Sequence, residues 1–321
     1  QRYQSSRRPA VPLGSRILTD PSKVFEHNMW DHMQWSQEEE EHAKEKAAEN
    51  SLVKVHLEDQ DKYEREASKY WNEFYKTHKN NFFKDRNWLF LEFPEILPEK
   101  MRERLKIEGR PSEHTKINIT NSFSQEKEMF EEGEKYWKKN TGDDSTSEKG
   151  YNKKQPKCIA DRPWGKSNEE EVNVLESFPA WCSAFVHDVC DDALPYPFPD
   201  EILDVILLVF VLSTIHPDRM QQVVNRLVKL LKPGGILLFR DYGRYDTAQL
   251  RFKKGHCLSE NFYVRGDGTR VYFFTKEEVQ NMFTLAGLTE IQNLVDRRLQ
   301  VNRKKKVKMQ RVWVQGKFQK P

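Results

Sequence analysis

The most constraining feature of this sequence is a strand–helix–strand pattern that spans residues 203–239. Leu203–Leu212 is an apolar run of the kind that forms a parallel strand buried on both faces. Asp218–Leu231 carries apolar side chains three and four residues apart, which is typical of an amphipathic helix. Lys232-Pro233-Gly234-Gly235 ends that helix and turns the chain into a second strand, Ile236–Phe239. The pattern predicts a right-handed βαβ unit, and therefore an α/β fold with a partly parallel sheet.

Three further segments of the C-terminal half fit such a fold. Cys182–Val189 predicts a strand that ends at His187-Asp188. Thr275–Ala286 predicts a helix that Thr275 caps and Gly287 ends. Val307–Phe318 alternates polar and apolar residues like a closing strand.

The N-terminal part is predicted to be helical over residues 21–98. Ser36 and Glu39 match a capping box at a helix start. Aromatic residues follow at three-to-four-residue spacing and would share one helix face. The aromatic residues at this spacing are Tyr63, Tyr70, Trp71, Phe74 and Tyr75. An isolated helix does not need the six aromatic side chains found from residue 71 to residue 88, so we expect another part of the chain to pack on them. They are Trp71, Phe74, Tyr75, Phe82, Phe83 and Trp88.

Composition divides the chain into four regions. Only 37% of residues are hydrophobic, 32% are charged and the mean hydropathy is −0.87, which is too polar for a compact fold throughout. We assign residues 1–20 to a basic leader, 21–98 to the helical region and 171–321 to the α/β domain. Residues 99–170, rich in Lys, Glu, Ser, Asn and Gly, are predicted to be a disordered linker.

The basic leader, residues 1–20, gives an expectation for the cellular compartment of the protein. Up to Thr19 it has four arginines, two early serines and no acid, and so resembles the tail of a mitochondrial transit peptide. The alternative is a disordered basic arm. We expect a mitochondrial protein, with a cytoplasmic or nuclear one as the alternative.

Residue usage excludes several function classes. The four cysteines form no C-x-x-C pair, so neither a disulfide scaffold nor a cysteine-rich zinc site is expected. The nine histidines lack metal-ligand spacing, and we predict no metal. A net charge of +3 excludes a uniformly basic coat but allows a local basic patch. The longest uncharged apolar run, Val205–Leu212, is too short to span a bilayer, so no membrane partner is predicted.

Five motifs that occur in order resemble one enzyme family. They are Tyr70–Tyr75, Phe82–Arg86, Arg240–Asp246, Arg251–Gly255 and Asn261–Arg270. Together they resemble the methyltransferase-like family that forms N3-methylcytidine in tRNA anticodon loops, and its mitochondrial member most of all. The resemblance covers residues 11–98 and 183–321. It implies a class I, Rossmann-like methyltransferase that uses S-adenosylmethionine (SAM).

One part of the family pattern is missing. The family opens its catalytic domain with a strand and a Glu-x-Gly-x-Gly loop, and an acid after the next strand holds the cofactor ribose. Here Val174-Leu175-Glu176 is followed by Ser177-Phe178-Pro179, and the one Gly-x-Gly of the chain is Gly266-Asp267-Gly268. The fold is therefore predicted to lack its first two β-α units, about 50 residues. We expect this loss to expose an apolar edge or to make the flanking strands pair directly.

The resemblance implies four positions for SAM. Asp188 would hold the adenine amino group, and Val209 would pack against the adenine. Trp71 and Tyr75 would close over the cofactor. The structural alternatives are a loop-capping carboxylate, a core valine and an aromatic core pair.

Arg240, Asp241 and Tyr242 are the candidate catalytic residues, because they follow the carboxyl end of a strand. Cytidine N3 has a free lone pair at neutral pH, and the methylated base is cationic. Asp241 would stabilise that charge, and Tyr242 or Tyr245 would stack on an extruded base. The alternative is a structural Arg–Asp pair.

Basic residues predict a surface for RNA phosphates, with a solvated basic tail as the alternative for residues 297–321. The predicted RNA-binding residues are Lys84, Arg86, Arg244, Tyr245, Arg251, Lys253, Lys254, Arg265, Arg270, Arg297, Arg298 and Arg303.

Two functions follow from these observations. The first is SAM-dependent formation of N3-methylcytidine in the tRNA anticodon loop, with the anticodon stem-loop as partner. The second is an RNA- or partner-binding variant without catalysis, because the cofactor loop is missing. Family members can require a tRNA synthetase or another tRNA-binding protein, and nothing in this sequence identifies one.

Overall fold

The computed structural model describes residues 16–78, 89–97 and 184–321, which form two sheets. The larger sheet has the strand order β1-β7-β8-β3-β2, and the smaller has the order β4-β5-β6. The strands are β1 Met29–Trp30, β2 Leu203–Val209, β3 Leu231–Tyr242, β4 Cys257–Ser259, β5 Phe262–Val264, β6 Arg270–Tyr272, β7 Thr289–Asn302 and β8 Val307–Gln319. Most of the leader, the linker and residues 171–183 lie outside the described residues, so the domain boundaries stay predictions.

The predicted strand–helix–strand unit is confirmed. β2 and β3 pair in parallel, with Val205 opposite Ile236, and helix α5, Pro217–Leu230, connects them. One face of α5 is buried against the sheet because its apolar residues recur at helical spacing. Gly234 lies in the irregular first part of β3 at a φ of +77°, a conformation that side chains with a β-carbon rarely adopt.

Strand β2 is buried on one face only. Ile206 and Leu208 are 8% and 6% exposed and lie in the core with α5, whereas Leu207 between them is 42% exposed. Residues 184–189 form no strand. The predictions of a strand there and of burial of β2 on both faces are therefore wrong. Among the described residues nothing pairs with the outer edge of β2, so of the two expected outcomes the structure shows the exposed apolar edge.

The rest of the larger sheet is antiparallel. The strand predicted at 307–318 is confirmed as β8, which lies between β3 and β7. The predicted helix at 275–286 is confirmed as α7, Lys276–Leu285, with a capping box between Thr275 and Glu278. Stacked rings of Phe283 and Phe318, 4.6 Å apart, join this helix to β8 in the main core.

Helices dominate the N-terminal part of the described chain, as predicted. The capping box of Ser36 and Glu39 starts α1. Among the described residues, no helix has the length and apolar character to cross a membrane. The helices are α1 Gln37–Ser51, α2 Leu57–Arg65, α3 Ala67–His78, α4 Leu89–Glu92, α5 Pro217–Leu230, α6 Thr247–Leu250 and α7 Lys276–Leu285.

The smaller sheet packs on two residues of the aromatic helix face, Tyr63 and Tyr70. Phe82, Phe83 and Trp88 lie outside the described residues, so a packing partner for the six aromatic residues stays a prediction. Tyr63 of α2 contacts a buried cluster formed by β4 and β5. Gly268, in the turn between β5 and β6, lies directly under the ring of Tyr70. The hydroxyl groups of Ser51 and Tyr263 are 2.9 Å apart. The helical region is therefore built onto the α/β domain by many small contacts.

Residues before α1 pack against the far end of β7. β1 pairs with β7 in antiparallel orientation, with Trp30 opposite Leu299. Val24, Trp30, Leu299 and Val301 form a small buried cluster. This contact places the segment around Phe25 beside the turn that joins β7 to β8.

Candidate active site

Asp241 lies at the carboxyl end of β3 and is fully buried. Its carboxylate accepts hydrogen bonds from the backbone N–H groups of Ser213 and Tyr242, each at 2.9 Å. Burial raises the pKa of Asp241 to about 6, and these hydrogen bonds oppose part of that rise. The carboxylate thus fixes the short 3₁₀ turn Leu212–Thr214, which follows β2.

Tyr242 is half-buried beside Asp241 and is surrounded by rings and cations. Its ring centre is 5.2 Å from that of Phe210, which ends β2 with a φ of +56°. The guanidinium groups of Arg265 and Arg311 lie 5.8 and 6.0 Å from the Tyr242 ring centre. Aromatic rings and guanidinium groups placed together can stack on a planar base and contact a neighbouring phosphate.

Tyr245 and Arg244 continue the same segment. Tyr245 has a φ of +70°, and its backbone N–H donates to Gln249 at 2.6 Å. Arg244 is held by Glu278 at 2.7 Å. Asp246 is completely buried, caps α6 and accepts hydrogen bonds from Arg311 and from the Val312 N–H. These contacts give the Arg240–Asp246 segment a defined shape.

Arg240 points to the opposite face of the sheet from Asp241, because consecutive strand residues alternate. Its guanidinium is 3% exposed, pairs with Asp296 at 2.6 Å and lies 4.7 Å from the ring centre of Trp313. Asp296 also accepts from Arg298, which in turn pairs with Glu92 at 2.7 Å. Burial opposes ionisation of Asp296, but the two guanidinium groups outweigh it and hold its pKa below the usual value. Arg240 and Asp241 therefore do not form an ion pair with each other.

Asp188 lies in an exposed loop beside α5. Its carboxylate accepts from the Cys190 N–H at 2.9 Å, as a loop-capping residue does. The Arg226 side chain of α5 holds this loop by donating to the carbonyls of Val189, Asp191 and Leu194, and by lying over the Tyr196 ring. Arg226 is a residue that the sequence analysis missed, because its partners are irregular backbone.

Trp71, Tyr75 and Val209 are the other expected cofactor positions. Trp71 and Tyr75 stack on α3 with ring centres 6.0 Å apart, and Tyr75 is 36% exposed. Val209 is half-buried at the carboxyl end of β2. The pair is thus not a fully buried core pair, and its surface is open to a ligand.

The described residues do not complete a site for SAM. Their turns at the carboxyl ends of β2 and β3 carry Phe210 and Gly243 and lead into no glycine-rich helix start. No acid follows a strand in the place where the cofactor ribose would need one. They include the carboxylate of Asp188 and the aromatic pair Trp71 and Tyr75, whose roles toward the cofactor stay predictions, and they do not supply a backbone cradle for the methionine end.

The expected RNA-binding residues fall into three groups. Arg251, Lys253, Lys254 and Arg303 are exposed, and Arg244, Tyr245, Arg265 and Arg297 are half-buried. Arg270 and Arg298 are buried, and Arg270 pairs with Glu64 of α2. Lys84 and Arg86 lie outside the described residues.

Other functional candidates were not singled out from the sequence. Phe210, Arg311 and Asp246 build the surroundings of Tyr242 and Tyr245. The available signal was weak: Asp246 precedes Thr247 as an N-cap would, and Arg311 lies in the basic C-terminal strand.

Comparison with known proteins covers nearly the whole chain. A family model described as a methyltransferase domain matches residues 167–293. The tRNA N(3)-cytidine methyltransferase METTL2 of Gallus gallus is 45% identical over 353 residues, which covers 97% of this chain and 95% of that protein. METTL2 of Danio rerio is 47% identical over 337 residues, which covers 99% and 91%.

A shorter match and a distant fold similarity complete the comparison. The human tRNA N(3)-cytidine methyltransferase METTL8, mitochondrial, is 49% identical over 271 residues and covers 68% of this chain. A SAM-dependent methyltransferase from Methanosarcina mazei matches 42% of this chain and 66% of its own at 17% identity, with a TM-score of 0.32, too low to support an argument. The identity and coverage of the METTL2 proteins confirm the resemblance of the five motifs. The chain belongs to the tRNA N(3)-cytidine methyltransferase family.

Proposed function

We propose that this chain methylates N3 of a cytidine in the anticodon loop of tRNA with SAM as methyl donor. The observation that carries the proposal is the match to METTL2 proteins over 96% or more of this chain. The surroundings of Tyr242 suit an extruded base, since aromatic rings and guanidinium groups converge there.

The chain's own residues would act on the base and not on the donor. SAM supplies a methyl group when it is bound. The ring of Tyr242, next to Phe210, would stack on the cytosine and leave its N3 edge free. The buried carboxylate of Asp241 belongs to the residue next to Tyr242 on β3, and its negative charge would favour the cationic product base. Arg265 would contact a neighbouring phosphate.

We propose that this chain binds SAM, although one observation opposes this. The described residues lack the glycine turn and the ribose acid, and the outer edge of β2 is open. The alternative function is that of a family member that binds tRNA without catalysis.

Titration of S-adenosylhomocysteine into the purified chain separates the two functions. Saturable one-site binding in calorimetry, with a raised melting temperature, supports methylation and leads to an assay on tRNA transcripts. An Asp188→Ala variant should then bind more weakly. The absence of binding by a cooperatively melting protein refutes the first function, and tRNA binding measured against salt tests the second.

The tRNA partner is tested apart from the cofactor. Both functions predict binding of an anticodon stem-loop RNA, with an affinity that falls as salt rises. If a tRNA synthetase or another tRNA-binding protein is required, adding it should raise that affinity. A chain that binds no tRNA with or without such a partner would contradict both functions.

The compartment is proposed to be the mitochondrion. Support comes from the acid-free basic leader and from the similarity to human METTL8, mitochondrial. METTL2 relatives carry no such label. Fusion of residues 1–20 to a fluorescent protein tests the leader, and a diffuse cytoplasmic or nuclear signal would contradict it.

A further inference from the structure

The turn between β7 and β8 is a strongly basic surface. Five of the six residues from position 303 to 308 are Arg or Lys, and all six are exposed. We call Arg303, Lys304, Lys305, Lys306 and Lys308 the basic tip. At that density the residues repel one another, so an anionic partner would stabilise them.

The basic tip is held in place and is not a free tail. Arg303 donates to the Asn28 side chain at 2.8 Å and to the Glu26 carbonyl at 3.3 Å. The ammonium group of Lys306 lies 4.4 Å from the ring centre of Phe25, a cation–π contact. Residues 25–28 thus fix the tip against β7. Lys304 and Lys305 have no ion pair among the described residues.

A cleft of about 340 Å³ opens next to the tip. One wall is apolar and includes Leu18, Val24 and Leu299. The lining also includes Lys308 and Gln310, and the Gln310 Oε1 atom is buried without a hydrogen-bond partner in the described part of the chain. A buried acceptor without a partner costs free energy that a ligand's N–H group would recover.

The charge in the cleft does not oppose an anionic ligand strongly. Glu39 is the acid in its lining, and its carboxylate already accepts from the Ser36 N–H at 2.8 Å as part of the α1 cap. Lys308 stands at the same cleft as a cation.

The cleft is also joined to the candidate active site. The Thr247 hydroxyl lines it and donates to the Gln310 carbonyl at 2.6 Å. Thr247 starts α6, directly after Asp246 and two residues after Tyr245. An RNA strand that reaches Tyr245 would therefore pass close to the cleft.

We propose that the basic tip and the cleft form a second RNA contact, outside the methyl-acceptor site. The lysines bind backbone phosphates, and the cleft takes one unstacked nucleotide whose amino group donates to Gln310 Oε1. Its volume is near the lower end for small-ligand sites, which fits a single nucleotide. The inference rests on the proposed function in one respect, that the ligand is tRNA.

The phosphate contact is tested with the triple variant Lys304→Ala/Lys305→Ala/Lys306→Ala. Its binding of anticodon stem-loop RNA should weaken by about 10-fold or more, and the slope of log affinity against log salt should fall by about 2 to 3. The matched control changes three exposed lysines on three helices: Lys44→Ala/Lys62→Ala/Lys229→Ala. It removes the same net charge and should keep most of the affinity and slope.

The nucleotide contact is tested with Gln310→Leu, which keeps the side-chain size and removes the acceptor. We expect roughly 5-fold weaker RNA binding with an unchanged salt slope. Gln310→Glu keeps an acceptor oxygen and should bind more tightly than Gln310→Leu. Thermal melts establish that each variant is folded.

The results of these binding experiments distinguish a failure of the tip contact from a failure of the proposed function. Wild-type affinity and slope in the triple variant would overturn the tip contact while the proposed function stands. A larger loss of binding to anionic lipid vesicles than to RNA would overturn it in favour of a membrane surface. Failure of the unchanged chain to bind any RNA would count against the proposed function itself.

Discussion

The ring of Tyr70 lies so close over Gly268 that a β-carbon at position 268 would overlap it. Gly268 also has a φ of +82°, where side chains with a β-carbon are strained. Two requirements therefore coincide at one residue: the hairpin turn needs a positive φ, and α3 needs a bare backbone to pack on. The contact sets how α3 presents Trp71 and Tyr75.

Gly268→Ala should therefore destabilise the chain and release α3. We expect a loss of about 1–3 kcal/mol in the free energy of unfolding, from the overlap and the strain together. Chemical denaturation measures the loss, and hydrogen exchange of α3 amides locates it. Gly255→Ala is the matched control, since Gly255 also has a positive φ, +84°, and a β-carbon there meets nothing within 4 Å. Equal losses in both variants would show that the backbone strain, and not the Tyr70 contact, is responsible.

Asp241 should make the stability depend on pH in an unusual direction. Its folded-state pKa of about 6 is above the ordinary value of 3.8, so folding favours the protonated carboxyl. Its contribution is fully present below pH 3.8 and is lost as pH rises through 6. The rise of about two pKa units corresponds to on the order of 3 kcal/mol.

The comparison that isolates this effect is wild type against Asp241→Asn. Asp296 and Glu64 have lowered pKa values and act in the opposite direction in both proteins. The stability difference between the two proteins should therefore change between pH 4 and 6 and be constant above pH 7. Denaturant titrations across this range measure it. A constant difference at all pH values would show that Asp241 ionises normally.

Local sequence patterns predicted the elements that depend on near neighbours in the chain. The capping residues Ser36 and Thr275 and the amphipathic spacing of α5 carry their signal within a few positions. The exposure of Leu207 was not predictable from its run, because an apolar strand shows its composition and not whether a neighbour covers it. The same limit applies to Arg270, whose partner Glu64 is far away in the chain.

The candidate site was predicted only in part, because local patterns place a residue on its strand but do not identify partners that are distant in the chain. The position of Tyr242 at a strand end followed from the strand–helix–strand order. The separation of Arg240 and Asp241 onto two faces also follows from strand alternation. The identity of the Arg240 partner did not, since Asp296 belongs to β7, a strand that the sequence analysis did not predict.

Arg240→Met tests whether Arg240 is catalytic or structural. The side chain is buried in an ion pair with Asp296, so its loss should cost about 3–5 kcal/mol of stability. Binding of anticodon stem-loop RNA per folded molecule should be unchanged, because the Arg240 side chain is buried in its ion pair with Asp296 and is not available to RNA. Denaturation and RNA titration below the melting temperature measure the two quantities. A stable Arg240→Met chain that loses RNA binding would support the catalytic assignment.

The open edge of β2 predicts a contrast between two adjacent leucines. Leu207→Lys places a charge on the exposed face of β2, which is an edge strand, and should discourage strand pairing between molecules. We expect slower aggregation in light scattering and a change in unfolding free energy below about 1 kcal/mol. Leu208→Lys, the matched control, buries an unpaired charge in the main core and should cost more than about 3 kcal/mol. If a part of the chain outside the described residues covered this edge, both variants would be destabilised alike, and the edge would not be the open end of the sheet.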